Sequence, residues 1–309
     1  MKVEICGLKR YFGNTKAVDG ISFSFESGQI FGFVGPNGSG KTTTMRILAT
    51  IDEPTGGDAY IDGVSVVQEP EAARRLIGYM PDSLPTYADM TVHEYLDYFA
   101  RAYGLKEPYR SRMLSDIEGF TRLDGLRERP VAALSKGMKQ RVSLARSLIH
   151  DPPVIVMDEP AAGLDPRARI ELRELLKALA LQDKAMLVSS HILSELAEIC
   201  NGTVIIEQGK LLCAGTLDDI KAMAHPRQLV RMRSIRHPRE IYLALQEMPQ
   251  VENVRYDGGE IVIDVVGGDD TCCNILNSLV TRGYRIVEFR QEQSGLEDIF
   301  MSITGGMVQ

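Results

Sequence analysis

Apolar and polar residues alternate from Ile21 to Phe25, with Ile21, Phe23 and Phe25 set against Ser22 and Ser24. A period of two is the mark of a half-buried strand. With Val3 to Ile5 and Ala59 to Ile61, this stretch predicts an antiparallel sheet. Other stretches are short and mostly apolar without alternation: Gln29 to Val34, Val154 to Met157, and Met186 to Val188. Such runs predict the buried strands of an open α/β sheet.

Helical periodicity follows several of them. Thr42 to Ala49 and Lys139 to Ile149 read as helices. Thr91-Val92-His93-Glu94 is a capping box, after which Val92, Tyr95, Leu96, Phe99 and Tyr103 recur on one face. That aromatic stripe reads as core, and His93 as a residue of the helix surface. Asp165-Pro166 caps a further helix, with Leu172, Leu175, Leu176 and Leu179 in one stripe.

A boundary is predicted near Ala222-Met223-Ala224-His225-Pro226. Beyond it the pattern predicts strand (Gln228 to Arg233), helix (Pro238 to Met248), strand (Val251 to Tyr256), strand (Glu260 to Val266), helix (Asp270 to Arg282) and strand (Tyr284 to Arg290). Asp257-Gly258-Gly259 is hairpin chemistry. The βαββαβ order suggests a ferredoxin-like module, and Gly295 to Phe300 opens a short final helix.

The candidate chemistry sits between these elements. Gly35-Pro36-Asn37-Gly38-Ser39-Gly40-Lys41-Thr42 fits the phosphate-loop spacing G-x-x-x-x-G-K-S/T, after a strand and before a helix, the context the motif requires. Glycines let successive N–H groups point into one concavity, and the helix N-terminus adds partial positive charge. Lys41 is placed to reach the β and γ phosphates, Thr42 to offer its hydroxyl to Mg²⁺, and Thr43 to line the same site. The strand Val154 to Met157 delivers Asp158 and Glu159 at its C-terminal end, where open α/β sheets bind ligands. Asp158 suits a water-mediated Mg²⁺ contact; Glu159 suits polarising a water beside a γ-phosphate. Ala162-Gly163-Leu164-Asp165 follows, and the next strand ends in Ser189-Ser190-His191.

Leu134-Ser135-Lys136-Gly137-Met138 completes the set. The order of phosphate loop, LSGGQ-like signature, acid-tipped strand, D-loop and terminal histidine resembles the ATP-binding cassette of ABC transporters, over about Val3 to Ala224. The resemblance implies an ATPase of P-loop fold, with a RecA-like core, an antiparallel β subdomain and a helical subdomain at about 91–150 that receives a membrane subunit. It implies two cassettes, identical or different, facing head to tail. Each ATP is then held by one phosphate loop and by Ser135 and Gly137 of the other cassette. It further implies that His191 contacts the γ-phosphate, that Asp165 joins the two sites, and that Tyr11 or Phe12 stacks on adenine. The ending after Ala224, and Lys41-Thr42-Thr43-Thr44-Met45-Arg46-Ile47-Leu48, resemble the type-2 exporter group for drugs and polysaccharides. Two positions depart from the pattern. Lys136 and Met138 replace Gly and Gln; the lysine either adds charge near the γ-phosphate or is solvated. Asp82 stands where the Q-loop has glutamine, and a carboxylate binds Mg²⁺ or water but cannot donate as an amide does. These departures leave a second reading, a regulatory cassette with slow turnover.

Composition bounds the partners. The chain has 309 residues and a net charge of −7 with no basic stripe, which argues against nucleic acid. Beyond Ala224 there are nine arginines, twelve acids and no lysine. No stretch approaches the ~18 apolar residues of a membrane span, and the N-terminus does not read as a signal peptide. The expectation is a soluble, cytoplasmic chain, held on the inner face of the membrane by an integral permease subunit. Cys6, Cys200, Cys213, Cys272 and Cys273 lack C-x-x-C spacing and read as reduced thiols. The expected domains are 1–224, binding ATP and Mg²⁺, and an accessory domain at 225–309.

Overall fold

The computed structural model describes residues 1–84, 90–191, 199–216, 219–220 and 227–292. They fall into two compact units, Met1–Leu217 and Asp218–Gln309. The predicted boundary at Ala222 to Pro226 and the final helix at Gly295 to Phe300 lie outside the described residues.

The first unit holds two sheets. Strands β1 (Lys2–Phe12), β2 (Thr15–Glu26), β4 (Gly56–Ile61) and β5 (Val64–Ser65) form an antiparallel sheet in the order β2-β1-β4-β5. The alternation at Ile21, Phe23 and Phe25 sends all three side chains into the core, where Phe23 and Phe25 pack on Phe33 and Phe31 of the second sheet at ring separations of 5.6 and 6.0 Å. That second sheet has the order β10-β9-β3-β8-β7-β6, from β3 (Ile30–Val34), β6 (Ile77–Met80), β7 (Val154–Met157), β8 (Ala185–Ser190), β9 (Gly202–Glu207) and β10 (Lys210–Thr216). All its pairings are parallel except β9 with β10. β3, β7 and β8 are buried along their whole length, which is why their sequences run apolar without alternation.

Helices α1 (Lys41–Leu48) and α2 (Pro70–Leu76) precede β6, and α3 (Val92–Ala102), α4 (Tyr109–Phe120) and α5 (Lys136–Leu148) lie between β6 and β7. α6 (Pro166–Ala180) joins β7 to β8, and its four predicted leucines are buried. The capping box at Thr91 forms with both reciprocal bonds. Val92, Tyr95 and Leu96 are buried as the stripe predicts, but Tyr103 stays 43% exposed, its ring stacked on His150 at 4.0 Å. His93 is not a free surface residue: Nδ1 lies 2.6 Å from the buried Glu118 carboxylate, which also pairs with Arg127 at 2.9 Å. α5 starts three residues before the expected Lys139, because the Ser135 hydroxyl accepts the Met138 N–H and caps the helix there.

The second unit is built from β11 (Arg227–Ser234), α7 (Pro238–Gln246), β12 (Val251–Asp257), β13 (Glu260–Val266), α8 (Asp269–Thr281) and β14 (Ile286–Glu292). The order β12-β13-β11-β14, antiparallel throughout, is the ferredoxin-like arrangement. Gly258 and Gly259, both with positive φ, close the β12–β13 hairpin as the sequence predicts. The last strand begins at Ile286 and not at Tyr284, whose N–H is taken by Leu279 C=O at the end of α8.

Candidate functional site

The parallel strands set the site by where they stop. β3 ends at the phosphate loop, β7 one residue before Asp158, β8 at Ser190, and β6 two residues before Asp82. All four are C-terminal ends on one edge of the same sheet, the edge at which open α/β sheets bind ligands.

The phosphate loop keeps its shape through two glycines. A Cβ on Gly35 would lie 2.2 Å from Ile206 C=O. Gly40 has φ 106°, and a Cβ there would lie 2.3 Å from Ala17 C=O. No L side chain fits either position. Pro36 is half-buried, Asn37 and Gly38 are exposed, and the Ser39 hydroxyl is buried with no hydrogen-bond partner among the described residues. Lys41 is only 5% exposed; its Nζ donates to Gly35 C=O at 2.7 Å and Pro36 C=O at 3.2 Å. Burial pushes the Lys41 ammonium below the usual lysine range, against the opposite pull of Glu159 and Asp158. Thr42 is exposed and Thr43 half-buried at the start of α1.

One serine organises the acids. The Ser189 hydroxyl donates to Asp158 Oδ1 at 2.7 Å and accepts the Glu159 N–H at 2.8 Å. Asp158 is 2% exposed. Glu159 has φ 47°, in the left-handed region, a conformation costing about 1–2 kcal/mol for a residue with a Cβ. The Ser189 bond and the Ala162 N–H donated to Glu159 C=O at 3.1 Å hold it there. Glu159 Oε2 lies 2.8 Å from His191 Nδ1. The structure thus brings Lys41, Asp158, Glu159 and His191 to one sheet edge. Ser189 received no role from the motif reading, yet register could have found it: Met157 lies opposite Val188 on parallel strands, so the next residue on each strand is Asp158 and Ser189.

Asp82 is exposed, and its C=O accepts a bond from the buried Gln140 Nε2 at 3.4 Å. Three residues earlier, burial and the neighbouring Asp158 push the Tyr79 phenol up to about 12. Arg146 donates to Tyr79 C=O at 3.3 Å and lies 5.3 Å from the Phe99 ring, tying α5 and α3 to β6.

At the N-terminal strands the two aromatics part. Tyr11 is half-buried, and its hydroxyl donates to Asp19 Oδ1 at 2.5 Å. Phe12 is 50% exposed, with the Arg10 guanidinium 4.6 Å from its ring centre. Gly209, in the β9–β10 turn, joins this end to the phosphate loop: it donates to Ser39 C=O at 3.0 Å and accepts the Asp19 N–H at 2.8 Å.

Ser135, Gly137 and Asp165 form a second group, around the N-termini of α5 and α6. Asp165 accepts the Ala168 N–H at 2.8 Å and caps α6. A Cβ on Gly137 would lie 3.3 Å from Ala168 Cβ.

The ABC transporter family profile matches residues 18–162, and the profile for the C-terminal domain of ATP-binding protein DrrA1-3-like matches 215–304. Nod factor export ATP-binding protein I of Ralstonia nicotianae is 32% identical over 305 residues, 97% of this chain and 92% of that protein. Linearmycin resistance ATP-binding protein LnrL of Bacillus subtilis is 26% identical over 300 residues, 96% of each. A solved ATP-binding subunit of an ABC transporter is 32% identical and superposes with a TM-score of 0.66, over 72% of this chain and 93% of that one.

Proposed function

The chain belongs to the ABC transporter family as an ATP-binding and ATP-hydrolysing subunit of an exporter, and from that we propose how its residues divide the work. The observation that carries the reading is the bonded set Asp158–Ser189–Glu159–His191 on the sheet edge that also carries Lys41.

Backbone N–H groups from Gly38 to Thr42 receive the phosphates, in a loop whose glycines leave room for close approach. Lys41 exchanges its two carbonyl partners for β and γ oxygens. Glu159 takes the proton of the attacking water, and His191, bonded to it, fixes the direction of that carboxylate. Ser189 is the positioning residue beneath both acids. Mg²⁺ fits the oxygen donors present: the exposed Thr42 hydroxyl, the buried Asp158 carboxylate and Asp82. When bound, the ion neutralises charge on the β and γ oxygens.

Phe12 is the adenine platform, because it is half exposed and Arg10 lies over only one face of its ring, while the Tyr11 hydroxyl is committed to Asp19. Phe12→Ala is expected to weaken ATP binding by about 1–3 kcal/mol, the range for base–aromatic stacking, while Tyr11→Ala leaves it within about two-fold. Titration of each variant with a fluorescent ATP analogue decides; the reverse ranking would give the role to Tyr11.

Ser135 and Gly137 engage the nucleotide of a facing cassette, and Asp165 lies at the junction of the two sites. Residues 1–224 form the nucleotide-binding domain, with the helical part at about 91–150, and 225–309 an accessory domain. No helix among the described residues is long and apolar enough to cross a membrane, so a separate permease supplies the path and holds the chain on the inner face. Tagged chain drawn from detergent-solubilised membranes of its own cells is expected to bring down a stoichiometric polytopic membrane protein, identified by mass. Only soluble companions would overturn the partner assignment and leave the ATPase standing.

A further inference from the structure

Lys136 is the first residue of α5 and holds the position where the family signature carries glycine. Its side chain lies along the turn that follows Glu159. Gly163, in that turn, has φ +66°, and a Cβ on it would meet Lys136 Nζ at 2.5 Å, Cε at 3.4 Å and Cδ at 3.6 Å. Lys136 is exposed, and its outer atoms run over the bare face of Gly163. On the other side of the seam, a Cβ on Gly137 would meet Ala168 Cβ at 3.3 Å and Leu164 Cδ2 at 3.8 Å. Two glycines, one on each wall, allow the approach. Among the described residues, no carboxylate pairs with the Lys136 ammonium; Asp165, the acid of the turn, is committed to the Ala168 N–H.

The turn is tight. Ala162 N–H donates to Glu159 C=O at 3.1 Å, and Leu164 N–H to Ala161 C=O at 3.2 Å. A displacement at Gly163 therefore reaches the Glu159 backbone through two successive bonds.

We propose that Lys136 is a positioning residue that clamps the turn 159–165 against the start of α5 within its own cassette. In the head-to-tail pairing proposed above, on which this inference rests, the start of α5 meets one nucleotide and Glu159 acts on the other. The clamp makes those two surfaces of one chain move as a unit. A signature with glycine at this position has no side chain with which to do so.

The test compares wild type, Lys136→Ala and Lys136→Arg as full-length chains. Hydrogen–deuterium exchange over 159–165 is measured without nucleotide, and ATP turnover on the same preparations. Lys136→Ala is expected to speed exchange of the turn about five-fold and to lower kcat about ten-fold. The half-saturating ATP concentration stays within about two-fold. Lys136→Arg, which keeps the charge and a stem long enough to reach Gly163, restores both. Unchanged exchange in Lys136→Ala overturns the clamp. So does a rise in half-saturating ATP with kcat intact, the behaviour of a lysine that contacts phosphate in trans. The exchange readout needs neither ATP nor a dimer, so failure of the clamp is told apart from failure of the head-to-tail reading. The latter would show as ATP-loaded chains that stay monomeric while the exchange difference persists.

Discussion

Glu159→Gln is expected to bind ATP within about two-fold of wild type and to turn it over about 10²–10⁴-fold more slowly, the range attributed to a positioned general base. The substitution is conservative where the fold is most demanding. Glu159 is held at φ 47° by a bond from its backbone N–H to Ser189, and glutamine keeps that N–H. An amide can also still meet His191 Nδ1, 2.8 Å from the carboxylate it replaces. The capacity to take a proton is lost, together with the negative charge that acts on Lys41. In the head-to-tail pairing proposed above, a pair that hydrolysis reopens would stay closed, so the variant should accumulate as an ATP-dependent dimer, read by sedimentation beside a phosphate-release assay. Turnover near the wild-type rate would remove Glu159 from the role of base.

Lys41→Ala should show the opposite pattern. A charge-assisted hydrogen bond contributes about 1.5–3 kcal/mol, so its loss weakens ATP binding by about 10- to 150-fold. The fold should suffer little. Lys41 is a buried cation whose ammonium is pushed down by burial and is satisfied by two loop carbonyls, Gly35 and Pro36. Removing it deletes the desolvation cost together with those bonds. Calorimetric titration with ATP, beside a thermal melt of the nucleotide-free chain, separates the two effects. Binding within three-fold of wild type, to within about 0.7 kcal/mol, would take the phosphates away from Lys41.

What the sequence made legible was whatever is local. The phosphate loop, the acid-tipped strand β7 and the cap at Asp165 are contiguous spacings, and each falls where its pattern places it. The antiparallel sheet was readable at Ile21, Phe23 and Phe25 because one face is buried and the other is not. The ferredoxin-like module was readable because each of its elements is short and bounded by a turn. What stayed hidden depends on which strand lies beside which. Ser189 matters because β8 neighbours β7, a fact of sheet order. Tyr11 and Phe12 are adjacent in sequence and both aromatic; what separates them is the Tyr11 hydroxyl finding Asp19 across a hairpin. His93 looked exposed because its partners, Glu118 and Arg127, lie on elements 25 and 34 residues away. Lys136 could be read as solvated or as facing phosphate, but not as lying on Gly163, a contact made across the seam between α5 and the turn after β7.

Gly209 bonds the phosphate loop on one side and Asp19, the anchor of Tyr11, on the other. A Cβ there would sit 2.7 Å from Lys16 C=O, so the position admits no other residue without movement. In the proposed reading, where Phe12 beside Tyr11 receives the base, the span from base to phosphate is a fixed gauge, set when β9 and β10 pair. Conformational entropy that a floppy site would lose on binding has already been lost in folding. In the proposed pairing of two cassettes, ligand binding energy is then left to act on the helix starts capped by Ser135 and Asp165.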